Sequence, residues 1–182
     1  MTDWLNTVGE HLLFLFILLI IVVYLVGILS SYLTDQLNRW LGYTLTAILS
    51  FFGVVIHELS HLTVALIFRH HIVSFCLWQI SDDGILGYVN REYNPKSYYQ
   101  RLGNFFISLA PILGICLTIW FLLSFGWVTG WHIRNIIIVF ILVSLLLGFH
   151  LSQADWQNFW RGTPFYLALI LIISTVKYIF FQ

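Results

Sequence analysis

Phe51-Phe52-Gly53-Val54-Val55-Ile56-His57-Glu58-Leu59-Ser60-His61-Leu62-Thr63-Val64-Ala65-Leu66-Ile67 decides how this chain is read. The stretch is apolar enough to lie in lipid, yet it carries three ionisable side chains within five residues. An acidic or basic group at the centre of a span costs roughly 2.5–3.5 kcal/mol on insertion scales, so three together need a compensating partner. His57 and His61 are four apart, which on a helix stacks both imidazoles on one face, one turn apart, where they can hold one metal ion. Glu58 follows the first of them and can reach a water on that metal. Zinc suits this ligand set, because it lowers the pKa of such a water to about 7 and leaves a neighbouring carboxylate to take the proton. Chance alone would produce the motif about 0.004 times on this composition.

The rest of the chain supports a lipid setting. Of its 182 residues, 60% are hydrophobic and only 9% charged, too few charges to cover a soluble domain. Formal net charge is zero. With no long basic or acidic run, nucleic acid is not an expected partner. Cys76 and Cys116 have no metal spacing and suggest no disulfide framework. The apolar run after His11 is too long, and too weakly flanked by basic residues, for a cleaved signal peptide, so it reads as a first span.

The pattern predicts an all-α polytopic membrane protein, a single membrane-embedded domain with about five transmembrane helices over 11–32, 40–68, 102–125, 133–155 and 163–181. Trp40, Trp127, Trp131, Trp156 and Trp160 fall near span ends, where amphipathic rings favour the headgroups. A β-hairpin is expected between spans two and three. There Val73, Phe75 and Leu77 alternate with other residues, Asp82-Asp83-Gly84 supplies a turn, and Ile85, Tyr88 and Val89 follow. Arg69, Arg91, Lys96, Arg101 and Arg161 would then share one side, against Arg39, Arg134 and Lys177 on the other. The positive-inside bias puts the hairpin in the cytosol and the C-terminus outside. The expected location is multi-pass in a membrane, taken as a bacterial plasma membrane.

A catalytic zinc usually has three protein ligands and one open position. Asp155 is the only acid after Glu92 and is the candidate third ligand, with His150 as its rival. The two are five apart, about 140° around a regular helix, so they would not share one ion. A solvated interfacial carboxylate is the plainer reading of Asp155. His11, His70, His71 and His132 fit interfacial positions. Ser108, Ser144 and Ser152 have no visible base. Pro111 should kink span three, and Gly103 and Gly114 should allow close helix approach.

Val54-Val55-Ile56-His57-Glu58-Leu59-Ser60-His61, the hairpin at 72–91 and Leu109-Ala110-Pro111-Ile112-Leu113-Gly114 together resemble the site-2 protease family of zinc intramembrane metalloproteases. The resemblance covers about Gly53 to Trp160. It implies that His57 and His61 bind zinc, that Glu58 is the general base, and that an Asp in a later span, here Asp155, completes the ligands. It also implies a membrane protein or hydrophobic peptide as substrate. The chain departs from the family in having Trp156 where a glycine usually follows that Asp, and no stretch reads as a PDZ-type domain. A zinc carrier, or a membrane chaperone that kept the motif, is the non-enzymatic alternative. It would need a second string of ligands along the spans and no general base.

Overall fold

The computed structural model describes residues 8–126, 132–149 and 151–180; Trp127, Trp131 and His150 lie outside the described residues. Helix α1 (Leu18–Leu41) continues a π-helical turn at Leu13–Ile17 and stops at Gly42, whose φ of 82° suits a residue without a Cβ. The expected second span is two helices, α2 (Tyr43–Leu49) and α3 (Phe51–Ile67), bent by 62° at Ser50. The Thr46 and Ser50 hydroxyls donate back to the Gly42 and Ala47 carbonyls, a bond that loosens the helical ladder and bends it.

Strands β1 (His71–Cys76) and β2 (Tyr88–Glu92) pair antiparallel, with a bulge between Ile72 and Ser74. The Asp-Gly turn forms as expected: the Gly84 N–H donates to the Ser81 carbonyl, and Gly84 takes a φ of 78°. Helix α4 (Tyr98–Ser124) is capped by the Ser97 hydroxyl, helix α5 (Ile133–Leu147) ends at Gly148, and helix α6 (Gln153–Phe180) runs on to the end of the described chain.

Contacts along the helices fix their directions. Gly103 meets Phe68, and Gly114 meets Ser60, so α4 runs opposite to α3. Phe159 packs on Phe105 and Leu109, while Phe165 lies by Tyr98 and under the Arg101 guanidinium, so α6 runs opposite to α4. Phe140 touches Phe52, and Ser144 and Gly148 reach Gly53, so α5 runs with α3. Helices α5 and α6 therefore share one direction. This departs from the expectation of two alternating spans over 133–155 and 163–181. The reason is local: α5 stops at Leu147, partway along α3, and the chain resumes after a short break instead of turning back. Asp155 accordingly sits in the first turn of α6 and not at the end of the preceding helix.

Helices α1, α4 and α6 are long and apolar enough to cross a membrane, and the bent α2–α3 pair counts as a fourth candidate. Helix α5, at about 22 Å, is shorter than the roughly 30 Å hydrocarbon core. Outward-facing Leu25, Ile28, Leu117, Trp120, Ile136 and Ile172 are all more than half exposed, an apolar surface suited to lipid. The inner core is aromatic, with Phe16 stacked on Phe159 and Phe105 stacked on Tyr166. The chain is thus a largely helical membrane protein with a small two-stranded sheet. Cys76 and Cys116 are free.

Candidate metal centre

Helix α3 buries Gly53, His57, His61 and Ala65, positions four apart that form one face. Gly53 opens that face. A Cβ on it would overlap the Ser144 carbonyl oxygen and the Gly148 Cα, and a Cβ on Gly148 would overlap the Gly53 backbone. Gly53 is early enough in α3 that its N–H has no helical carbonyl to spare, and it donates to Ser144 Oγ at 3.2 Å. This close crossing brings the break after α5 down beside the two histidines.

Asp155 is held there by reciprocal capping. The Ser152 N–H and hydroxyl both donate to Asp155 Oδ2, at 2.9 and 2.7 Å, and the Asp155 N–H donates to Ser152 Oγ at 3.2 Å. This is the arrangement of a helix N-terminal capping box, with an acid favoured in the first turn by the helix dipole. The other carboxylate oxygen, Oδ1, lies 3.2 Å from His61 Nε2, and Oδ2 lies 4.0 Å from His57 Nε2. The two Nε2 atoms are 3.1 Å apart. All three residues are buried, and one ligand atom from each lies within 4.8 Å of the others.

Helix α4 orients His61. Pro111 has no N–H, so the Ile107 carbonyl four residues earlier has no helical donor. His61 Nδ1 lies 2.8 Å from that oxygen and donates its proton to it. The neutral tautomer this bond selects leaves a lone pair on Nε2, facing the Asp155 carboxylate. Electron-pair donors thus converge at His61 Nε2 and Asp155, with His57 Nε2 beside them. A cation answers that arrangement. Bonds of about 2.0–2.2 Å in a tetrahedral zinc site put ligand atoms about 3.3 Å apart, in the range found here, so these residues fit a metal ion such as zinc.

Glu58 lines the same cavity of about 930 Å³ as His57, His61 and Asp155. Gly87, in the segment that leads into β2, presses on it: a Cβ there would meet Glu58 Cγ at 2.7 Å. Tyr43 and Trp78 tie this segment to the α2–α3 bend, through hydrogen bonds to the Ser81 and Ala47 carbonyls respectively.

Of the other residues singled out by sequence, His70 is buried and is not among the gathered ligands. Its Nε2–H donates to the Gln100 carbonyl at 3.0 Å, and its Nδ1 accepts from Arg91 Nη1 at 3.2 Å. Burial holds its pKa below the usual histidine value, and the Arg91 charge adds to this. His71 is on β1 and exposed, and His11 meets Ser174 Oγ at 2.7 Å. His132 stands just ahead of α5. Ser108 bonds back to the Asn104 carbonyl, Ser144 serves Gly53, and Ser152 caps α6, so none of the three is set up as a nucleophile.

Ser152, the Ile107 carbonyl and the Arg91–Asn104–His70 cluster were not singled out as site parts from sequence. A Ser-x-x-Asp spacing at 152–155 and a proline four residues after Ile107 were the available signals for the first two. Compared with known protein families, curated proteins and solved structures, the chain matches none.

Proposed function

We propose that this chain is a zinc-dependent intramembrane endopeptidase of the site-2 protease type, cleaving a membrane protein or hydrophobic peptide. The observation that carries the reading is the gathering of His57, His61 and Asp155 around one point, with Glu58 on the same cavity. A zinc ion held by those three residues would supply a Lewis acid and an acidified water with a pKa of about 7. Glu58, on the same cavity, would serve as the general base toward such a water and as the proton donor to the leaving amine. Helical substrates hide their amides, so the scissile segment must be extended; among the described residues the two strands pair only with each other, so such a segment could add at a sheet edge. A carrier would need further ligand clusters along its spans, and among the described residues one group of three is gathered.

The membrane arrangement belongs to the same proposal. Because α5 runs with α6, we read four crossings in place of five: α1, the bent α2–α3 pair, α4, and α5 continued by α6. Both chain ends then lie on the hairpin side, which the basic residues Arg69, Arg91, Lys96 and Arg101 mark as cytosolic. This revises the expectation of an external C-terminus. The discriminating experiment compares membrane proteomes of cells carrying the wild type or Glu58→Gln. Loss of a general base typically costs 10²–10⁴-fold in rate, so an uncleaved membrane precursor should accumulate in the variant. Identical proteomes would remove the protease reading.

A further inference from the structure

Arg91 is the one basic residue that the hairpin strands send into the metal-centre cavity, and its setting is not that of a structural ion pair. One nitrogen of its guanidinium, Nη1, is held between two neutral acceptors, Asn104 Oδ1 at 3.0 Å and His70 Nδ1 at 3.2 Å. Asn104 is itself buried. The remaining nitrogens, Nη2 and Nε, have no hydrogen-bond partner, and no carboxylate lies within ion-pair distance, among the described residues. Guanidinium presents five donors in a planar fork that matches a carboxylate bidentately. Here the fork is fixed at one corner on a side chain that lines the cavity, and its other donors are unpaired among the described residues.

A second guanidinium lines the same cavity. Asp155, Asn158 and Arg161 are spaced by three along α6, so they share a stripe, and Arg161 lies roughly 9 Å along the axis from Asp155. Arg161 also has no ion-pair partner among the described residues. With a divalent ion at the three ligands, the positive charge on this cavity exceeds that of Glu58, Asp155 and Asp35, the acids that line it. Such a cavity favours an anionic ligand.

Resting on the peptidase reading above, we propose that Arg91 binds a carboxylate of the peptide substrate, either its C-terminus or an acidic side chain near the scissile bond, with Arg161 as a secondary cation. Arg91 is thereby a specificity-determining residue. The fork is pre-set by Asn104 and His70, so little side-chain freedom is lost when the carboxylate docks. Substrates bearing that charge are selected over otherwise equal hydrophobic peptides.

The test measures binding to purified Glu58→Gln protein, so that its outcome does not depend on turnover. Three dansyl-labelled hydrophobic heptapeptides of otherwise identical sequence serve as probes: one with a free C-terminal carboxylate, one amidated, and one amidated with a single Glu two residues from its end. Zinc content is recorded on each sample. At least one carboxylate-bearing peptide should bind about tenfold tighter than the plain amide, as a charge-assisted fork contact gives. Which of them does so separates terminal from side-chain recognition. Arg91→Gln should erase that preference with zinc unchanged, and Arg161→Gln, at an exposed position, should only reduce it. Three results overturn the inference while leaving the peptidase reading standing: equal affinities for all three peptides, a preference that survives Arg91→Gln, or a preference lost only in Arg161→Gln. If no peptide binds, the inference falls, while the peptidase reading is decided by the Glu58→Gln proteome comparison.

Discussion

Gly53 and Gly148 meet backbone to backbone, so that a Cβ on either would overlap the other's main chain. The contact lies four residues before His57 and seven before Asp155, and it sets how far the break after α5 descends beside α3. Gly148→Ala should force the helices apart, costing about 1–3 kcal/mol as overpacking does. It should also lower zinc occupancy. Gly27→Ala is the control, because a Cβ at Gly27 meets nothing within 4 Å. Thermal unfolding in detergent, with metal content on the same samples, checks both effects; equal behaviour of the two variants would rule the crossing out as a determinant of the site.

Pro111 acts on the site through its missing N–H. Pro111→Ala should restore a helical donor to the Ile107 carbonyl and so compete with His61 Nδ1. Loss of such an orienting bond typically costs 10–100-fold in metal affinity. The helix itself should gain stability, since alanine is the better helix former. Chelator competition against the wild type measures the first effect and thermal unfolding the second. Unchanged zinc affinity would mean that the carbonyl does not orient the ring.

Ser152 holds Asp155 at the helix start. Ser152→Ala should cost about 1 kcal/mol as a lost cap and weaken metal binding by freeing the carboxylate, while Ser152→Thr should preserve both. Metal titration of the two variants separates capping from mere packing.

The motif, the hairpin and the apolar runs were legible because each is a short-range pattern. Four-residue spacing puts His57 and His61 on one face, and Asp-Gly allows the turn at Gly84. What sequence did not yield is long-range direction. Leu147 and Gln153 bound a break too short to distinguish from an interfacial loop by composition, and Gly162-Thr163-Pro164 reads as a second boundary. In the structure Pro164 lies within α6, and Gly162 serves close packing against Phe105. The position of Asp155 depends on that break and not on span length. Its place as the only acid after Glu92, with the family resemblance, could therefore name Asp155 as a partner for His61, but the path that brings the two together is a property of the folded helices.

Helix direction is open to a labelling test. In a chain whose Cys76 and Cys116 have been replaced, cysteines introduced singly at Ser97 and Lys177 should both be labelled from the same, cytosolic face of sealed vesicles. Labelling of position 177 from the other face would restore a fifth crossing.

His70 links the hairpin to α4 and titrates outside the spans. Its pKa is lower in the folded chain than unfolded. The unfolded chain therefore binds more protons as pH falls, and the folded state loses stability below the unfolded value of about 6.5. Protonated His70 can no longer accept from Arg91. Hydrogen exchange at β2 should be faster at pH 5.5 than at pH 7.5, relative to α4, and His70→Gln should lessen the difference. A pH-independent ratio in the wild type would contradict it.

The metal centre is tested most directly by zinc per chain, measured by mass spectrometry in the wild type and in His61→Ala, Asp155→Ala and His150→Ala. About one zinc is expected in the wild type and in His150→Ala, with loss in His61→Ala and Asp155→Ala. Full zinc in Asp155→Ala, or its loss in His150→Ala alone, would contradict a centre built from His57, His61 and Asp155.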